Sequence, residues 1–154
     1  VAAGSLALEK GASFLDLNCG CPIYEATRRG LGSALLRSPK KLSRLVGGIA
    51  NEIELPLTVK IRSGLKENEP NALEVVKCLQ EASVAAVTIH PRSQMQRYSK
   101  AADWNLIREI ASNDEITVPI IGNGDVLSHW EAQNFMLNYG ISGLMIGRGA
   151  LIKP

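Results

Sequence analysis

Five times along the chain, a short apolar run of strand character is followed by a segment with apolar residues at helical spacing. The strand runs recur at intervals of roughly 25 to 43 residues. The strand-like runs are Phe14 to Asn18, Leu57 to Arg62, Ala85 to His90, Val118 to Ile121 and Leu144 to Ile146. A short helix over Ala2 to Lys10, ending at Gly11, precedes them. Ser38-Pro39 opens the clearest helix, with Ser at the N-cap, Pro at the first helical position, and Leu42, Leu45, Val46 and Ile49 as one buried stripe. The next starts near Pro70, after a loop carrying Gly64 and Asn68. Ala72, Val75, Val76 and Leu79 form its stripe, with Cys78 as core filler. Asp103 caps a helix bearing Leu106, Ile107, Ile110 and Ala111. A Ser128-to-Glu131 capping box begins another, with Ala132, Phe135, Met136 and Tyr139, closed by Gly140. This alternation predicts an α/β fold built on a parallel sheet.

Composition narrows the class. A chain of 154 residues, 45% hydrophobic, suits one globular domain. No run approaches the roughly 20 apolar residues of a membrane span. The start, Val1-Ala2-Ala3-Gly4-Ser5, has no basic-then-apolar signal and no initiator Met, so it reads as lying inside a longer protein. Three cysteines, with Cys19 and Cys21 too close for an ordinary structural bridge, suggest a reducing compartment. The net charge of +2 is unevenly spread. From Arg28 to Arg62 eight Lys/Arg face only Glu52 and Glu54, and from Ser63 to Ile89 acids outnumber bases. A basic side beside the cysteines suits an anionic partner; a solvated helix face is the competing reading.

The chemistry gathers at the strand ends. The first strand stops at Asn18-Cys19-Gly20-Cys21-Pro22, a rigid turn carrying a thiol where parallel sheets place their sites. Such a thiol can be a nucleophile, a metal ligand, a proton donor or simply a buried structural residue. A zinc pair is disfavoured, because no second Cys/His pair is spaced to complete it. The other strands end in Lys60 with Arg62, His90 with Arg92, Asn123 with Asp125, and Arg148. Inward-facing polar groups at five successive strand ends would be costly without a ligand or water. Gly122-x-Gly124 and Gly147-Arg148-Gly149, one unit apart, suit a phosphate held by backbone N–H groups at the C-terminal mouth of a (β/α) barrel. Asp16 and Asp125 also fit turn or cap roles, and His129 in its capping box is expected to be exposed and idle.

Taken in order, Asp16 to Pro22, Lys60-Ile61-Arg62, His90-x-Arg92, Asn123-Gly124-Asp125 and Gly147-Arg148-Gly149-Ala150 resemble the tRNA-dihydrouridine synthases. The Asn-Cys-Gly-Cys-Pro form, Gly32 to Leu36 and Gln96 to Trp104 are similar to the eukaryotic branch acting on the tRNA variable loop. The resemblance implies a TIM (β/α)8 barrel holding FMN, reduced by NADPH, which passes a hydride to C6 of a uracil while Cys21 gives a proton to C5. A proton donor works as the thiol rather than the thiolate. It further implies that Asn18 and Lys60 line the flavin and that His90 lies near its phosphate or ring edge. Asn123, Gly124, Asp125, Gly147 and Arg148 would form the phosphate loops. Arg92, Arg97, Tyr98 and Lys100 would hold RNA beside a base drawn from its stack. The partner is then tRNA, with the use of mRNA left open, and neither membrane nor metal; the setting is cytoplasmic, with the nucleus as the alternative.

The chain departs from the family pattern at Pro91, where Gly is usual. With about five βα units of eight, residues 1–154 read as part of a flavin-binding barrel domain. Its first strands and the helical RNA-binding domain would lie outside, and this segment alone is expected to turn over weakly or not at all. Two other functions compete: another FMN barrel, dihydroorotate-dehydrogenase-like and acting on a free pyrimidine, and a noncatalytic RNA-binding fragment.

Overall fold

The structure is a computed structural model that describes residues 1–96 and 98–152. In chain order the elements are α1 (Ala2–Glu9), β1 (Leu15–Asn18), α2 (Tyr24–Thr27), a 3-10 helix (Gly32–Arg37), α3 (Pro39–Glu52), β2 (Leu57–Arg62), β3 (Gly64–Lys66), β4 (Glu69–Pro70), α4 (Ala72–Gln80), β5 (Ala86–His90), α5 (Trp104–Ala111), β6 (Ile120–Asn123), α6 (His129–Asn138), β7 (Gly143–Met145) and α7 (Gly149–Ile152). Five strands form one sheet in the order β1-β2-β5-β6-β7, every pair parallel. Each strand of this sheet joins beside the one before it. A doubly wound sheet reverses direction at a switch point; this one advances one way, as a barrel does. The predicted α/β class and five βα units are therefore observed, as a partial (β/α) barrel.

Side-chain alternation gives the sheet two distinct faces. Leu57, Val59, Ile61, Val87 and Ile89 face the helices and are buried. They pack with Leu42 and Val46 of α3, Val75, Val76 and Leu79 of α4, and Ile107 and Ile110 of α5. Burying each such side chain contributes about 1.5–3 kcal/mol. The opposite face is polar: one row runs Asn18, Lys60, Thr88, Ile121 and Gly143 in register, and the next pairs Arg62 with His90.

Trp104 locks β6 to its helices. A methyl group at Gly122 would come within 2.5 Å of its ring, so only glycine admits this approach. The indole stacks on Phe135 at 3.6 Å between centroids and meets Tyr139 edge-on at 5.5 Å. Its Nε1–H donates to the Gly124 carbonyl at 2.9 Å, which fixes the end of β6 where the site begins.

Several local expectations are corrected. Leu45 and Met136 are exposed, because helical period places a residue within a broad stripe while neighbouring elements decide what is covered. Cys78 is half-buried rather than core filler. Ser38 makes no side-chain capping bond, although Pro39 does open α3. The segment around Gly64 and Asn68 is not a plain loop, since β3 and β4 pair there as an antiparallel hairpin. Asp103 and Ser128 do cap α5 and α6, accepting from the Asn105 and Glu131 N–H groups respectively. His129 is exposed.

Candidate active site

The turn after β1 is braced from several sides. The Asn18 side-chain carbonyl accepts from the Gly20 N–H at 3.0 Å, and Arg62 Nε donates to the Gly20 carbonyl at 2.9 Å. Cys19 points into the core with 0% exposure, and its N–H donates to the Lys60 carbonyl. Burial, followed by the charge of Asp16, pushes its thiol up to about 12. Cys21 is half-buried and lies on the cavity wall. Its carbonyl accepts from both the N–H and the Oγ of Ser33, at 2.9 and 3.0 Å. Gly32 makes this possible. Its φ is +59°, and a Cβ there would sit 2.4 Å from the Cys21 oxygen. The two cysteines of the turn thus have separate places. An alkylating reagent should label Cys21 and Cys78 in the folded chain and Cys19 only after denaturation, as peptide mass spectrometry would show. Native labelling of Cys19 would contradict this placement.

A cavity of about 330 Å³ opens over the polar ends of the strands, within the usual range for small-molecule sites. Its wall includes Asn18, Cys21, Lys60, His90, Asn123, Gly124, Asp125, Gly147 and Arg148, so every residue expected at the cofactor and at the proton transfer converges there. Arg62, a strand-end residue for which the sequence implies no particular role, is part of the wall. It is buried, donating to the carbonyls of Gly20 and Ser93. Burial lowers its pKa. Its alternation with Lys60 on one face was the available signal. Apolar lining from Leu127, Met145 and Ile146 carried no sequence signal of its own.

Four cations, Lys60, Arg62, Arg92 and Arg148, meet one carboxylate in this wall. Asp125, at φ +53°, binds Arg92 at 2.7 Å, Arg148 at 3.2 Å and the Ala102 N–H at 2.8 Å. Burial works to raise its carboxyl, but the Ala102 N–H and the two guanidinium groups outweigh burial and hold it below the usual carboxylate range. Asp125 thus faces arginines, and its effect on any bound anion is to set where Arg148 stands. Asn123 Nδ2 donates to the Met145 carbonyl at 2.6 Å, tying β6 to β7.

The expectation that Arg92 holds RNA is corrected. Its side chain is 1% exposed, and its guanidinium donates to Asp125, to the Lys100 carbonyl and to His90 Nε2. Because arginine has no acceptor, His90 Nε2 accepts, and the neutral ring carries its proton on Nδ1. Pro91 does not disturb this pair. The Arg92 N–H reaches back to the His90 carbonyl at 2.8 Å, a tight turn whose centre suits a fixed proline φ. Tyr98 lies on the cavity wall, with Arg148 4.4 Å from its ring centroid. Lys100 lies outside this cavity and pairs with Glu67 at 2.7 Å. Arg97 lies outside the described residues.

Burial, then Arg62, Lys60 and Arg92, drive the His90 pKa down to about 3. The unfolded chain takes up a proton near pH 6.5 that the folded chain refuses until about pH 3. Stability should therefore fall as pH drops through that window, by at most about 1.4 kcal/mol per pH unit. Urea titrations of the wild type and of His90→Gln at pH 7 and pH 5 check this. An equal pH dependence in the two would contradict it.

Two groups on the polar face lack partners among the described residues. The buried Thr88 hydroxyl makes no hydrogen bond. The largely buried Lys60 ammonium has no ion pair, and burial lowers its pKa. Side by side in register, they ask for a polar, acceptor-bearing ligand.

A one-way parallel sheet whose strand ends converge on a cationic cavity defines a segment of a (β/α) barrel with an anion-receptive mouth. A crystal structure of a phosphonomutase candidate from Burkholderia cenocepacia J2315 shares the fold. Its TM-score is 0.60 at 16% identity, and the match covers 94% of this chain and 65% of that one. The dihydrouridine synthase (Dus) family model matches residues 1–154. The tRNA-dihydrouridine(47) synthase [NAD(P)(+)] of Coprinopsis cinerea is 46% identical over 94% of this chain and 23% of its own length. That of Candida albicans is 44% identical over 92% of this chain and 26% of its own. The chain belongs to the dihydrouridine synthase family. It spans about a quarter of the length of these curated relatives.

Proposed function

We propose that the protein to which this chain belongs reduces the C5=C6 bond of a uridine in tRNA, using FMN and NADPH, with Cys21 as the proton donor. The observation that carries this reading is the placing of the cysteines. Among three, Cys21 alone lines the cavity, while Cys19 is sealed in the core and Cys78 lies on the helix side. The relatives' activity and their NAD(P)(+) designation support the reaction class.

The residues present fit a flavin mononucleotide. Lys60 and Thr88 offer unpaired polar groups to a ring, and Asn18 retains its amide NH2 for the same face. Arg148, Gly147 and Gly124 would receive the phosphate, and no atom other than those of its chain neighbours lies within 4 Å of where a Gly147 Cβ would stand. Bound there, FMN would supply the hydride for C6. The chain's own part is to orient and to protonate. Arg62 and Ser33 hold the turn, so that the Cys21 thiol can give its proton to C5 of a base drawn out of its stack.

The test is a visible spectrum of the full chain, before and after NADPH and then after unmodified tRNA, without oxygen. Flavin bands that bleach with NADPH and return with tRNA are expected. Return with free uridine alone would instead favour a small-molecule pyrimidine reductase. A protein that cannot be loaded with FMN would overturn the reading.

A further inference from the structure

From Ala26 to Asn51 the chain carries six cations, Arg28, Arg29, Arg37, Lys40, Lys41 and Arg44, and no carboxylate. All six are exposed, and none takes part in an ion pair among the described residues. Elsewhere Lys66, Lys77 and Lys100 each meet a glutamate, while Lys10 and Arg108 stand singly, exposed and without an ion pair among the described residues.

This band starts at the proton donor. The segment from Pro22 to Gly32 leaves Cys21 and returns to it, closed by the two bonds from Ser33 to the Cys21 carbonyl. Tyr24 on that segment is 72% exposed, and the Arg28 guanidinium lies 5.9 Å from its ring centroid. The one carboxylate nearby in sequence is Glu25, and no ion pair to it is found among the described residues. The 3-10 helix then leads into α3, anchored by Asn71 Nδ2 donating to the Leu36 carbonyl at 2.8 Å. α3 begins on the same side of the sheet as the cavity, because a helix that follows a strand starts at that strand's C-terminal end.

Its first turn holds Lys40 and Lys41 and no acid. Positive charge at a helix N-terminus opposes the helix dipole. A local rule broken with no compensating contact marks a position kept for something other than stability.

We propose that this band is the track along which the RNA backbone lies, with Tyr24 as a stacking platform for a nucleotide flanking the target uridine. The inference rests on the proposed reaction. It moves the RNA from the Arg92–Lys100 side, where Arg92 is buried and Lys100 is paired, to the segment between Cys21 and α3. Exposed cations would follow successive phosphates, while an aromatic face beside an arginine accepts any base.

The test measures tRNA binding by the full chain across a salt series. The variant Arg28→Gln/Arg29→Gln/Lys40→Gln/Lys41→Gln should bind at least ten-fold more weakly at 0.15 M salt. Its log–log salt slope should be shallower by about 3. Its Tm should hold or rise, because two charges opposing the α3 dipole are gone. A purely structural role for these side chains would move Tm and affinity down together. Arg28→Lys/Arg29→Lys should keep the slope, Lys10→Gln on α1 should change nothing, and Tyr24→Ala should cost about ten-fold at any salt. Unchanged affinity and slope in the fourfold variant, with dihydrouridine still formed by the wild type, would overturn this track and leave the reaction standing. Failure of the wild type to bind tRNA would overturn both.

Discussion

Replacing Cys21 by alanine should leave flavin bound and slow uridine reduction by about 10²–10⁴-fold, the usual range for losing a positioned acid. The side chain lost is small and half-buried, so the fold should survive. The backbone of the turn is held by groups the substitution leaves in place: Ser33 on the Cys21 carbonyl, Arg62 on the Gly20 carbonyl, and the Gly20 N–H on Asn18. The measurement is single-turnover oxidation of the reduced full chain by unmodified tRNA, with dihydrouridine counted in the product. Cys19→Ala is the companion variant. Its thiol is enclosed and pushed up to about 12, so the cost should fall on stability and leave the chemical step alone. Equal rates for Cys21→Ala and wild type would remove Cys21 from the mechanism.

Asp125→Ala should destabilise the fold by about 3 kcal/mol. Arg92 is 1% exposed, and Asp125 is its only anionic partner among the described residues. Removing one member of a buried pair leaves the other charged and desolvated, which typically costs 3–5 kcal/mol. The low end applies because the carboxylate is partly open to solvent. The same substitution frees Arg148 and releases the Ala102 N–H. Urea denaturation checks the value. A loss below 0.5 kcal/mol, the scale of an exposed pair such as Lys66–Glu69, would mean that water already screens Arg92. The carboxyl is held low in the folded state, so its contribution is present above the unfolded carboxylate pKa. That contribution fades as pH falls through the folded one.

The five strands of the main sheet, the longer helices and the convergence of the strand ends were legible because each rests on local spacing, whereas the β3–β4 hairpin and the short α2 and α7 were not. Period-2 alternation in Leu57–Arg62 separates Lys60 and Arg62 from the core face without knowledge of any neighbour. Pairing across the chain was not legible in that way. The role of Arg92 depends on Asp125, 33 residues away, and that of Lys100 on Glu67, also 33 residues away. A basic residue reads the same in sequence whether a carboxylate meets it or not, and so two of the expected RNA contacts fell on an arginine that the fold buries and a lysine that it pairs at the surface. Leu45 and Met136 were misjudged for a related reason, since helical period gives direction but not coverage. Gly122 looked like a phosphate-loop glycine; in the structure it is the clearance that Trp104 requires.

Arg62 holds the Gly20 carbonyl with one nitrogen and the Ser93 carbonyl with another, so the loops after β1 and β5 hang from a single side chain on the strand between them. The arrangement works like a keystone. Load applied to either loop is carried into the middle of the sheet, and the inner lip shifts as one body or not at all. The Pro22–Gly32 segment on the outer lip takes no bond from Arg62 and is held instead by its own contacts, with Thr27 buried at its middle and Ser33 closing it onto the Cys21 carbonyl. A push on that outer lip therefore meets separate anchors from those that fix the floor of the cavity.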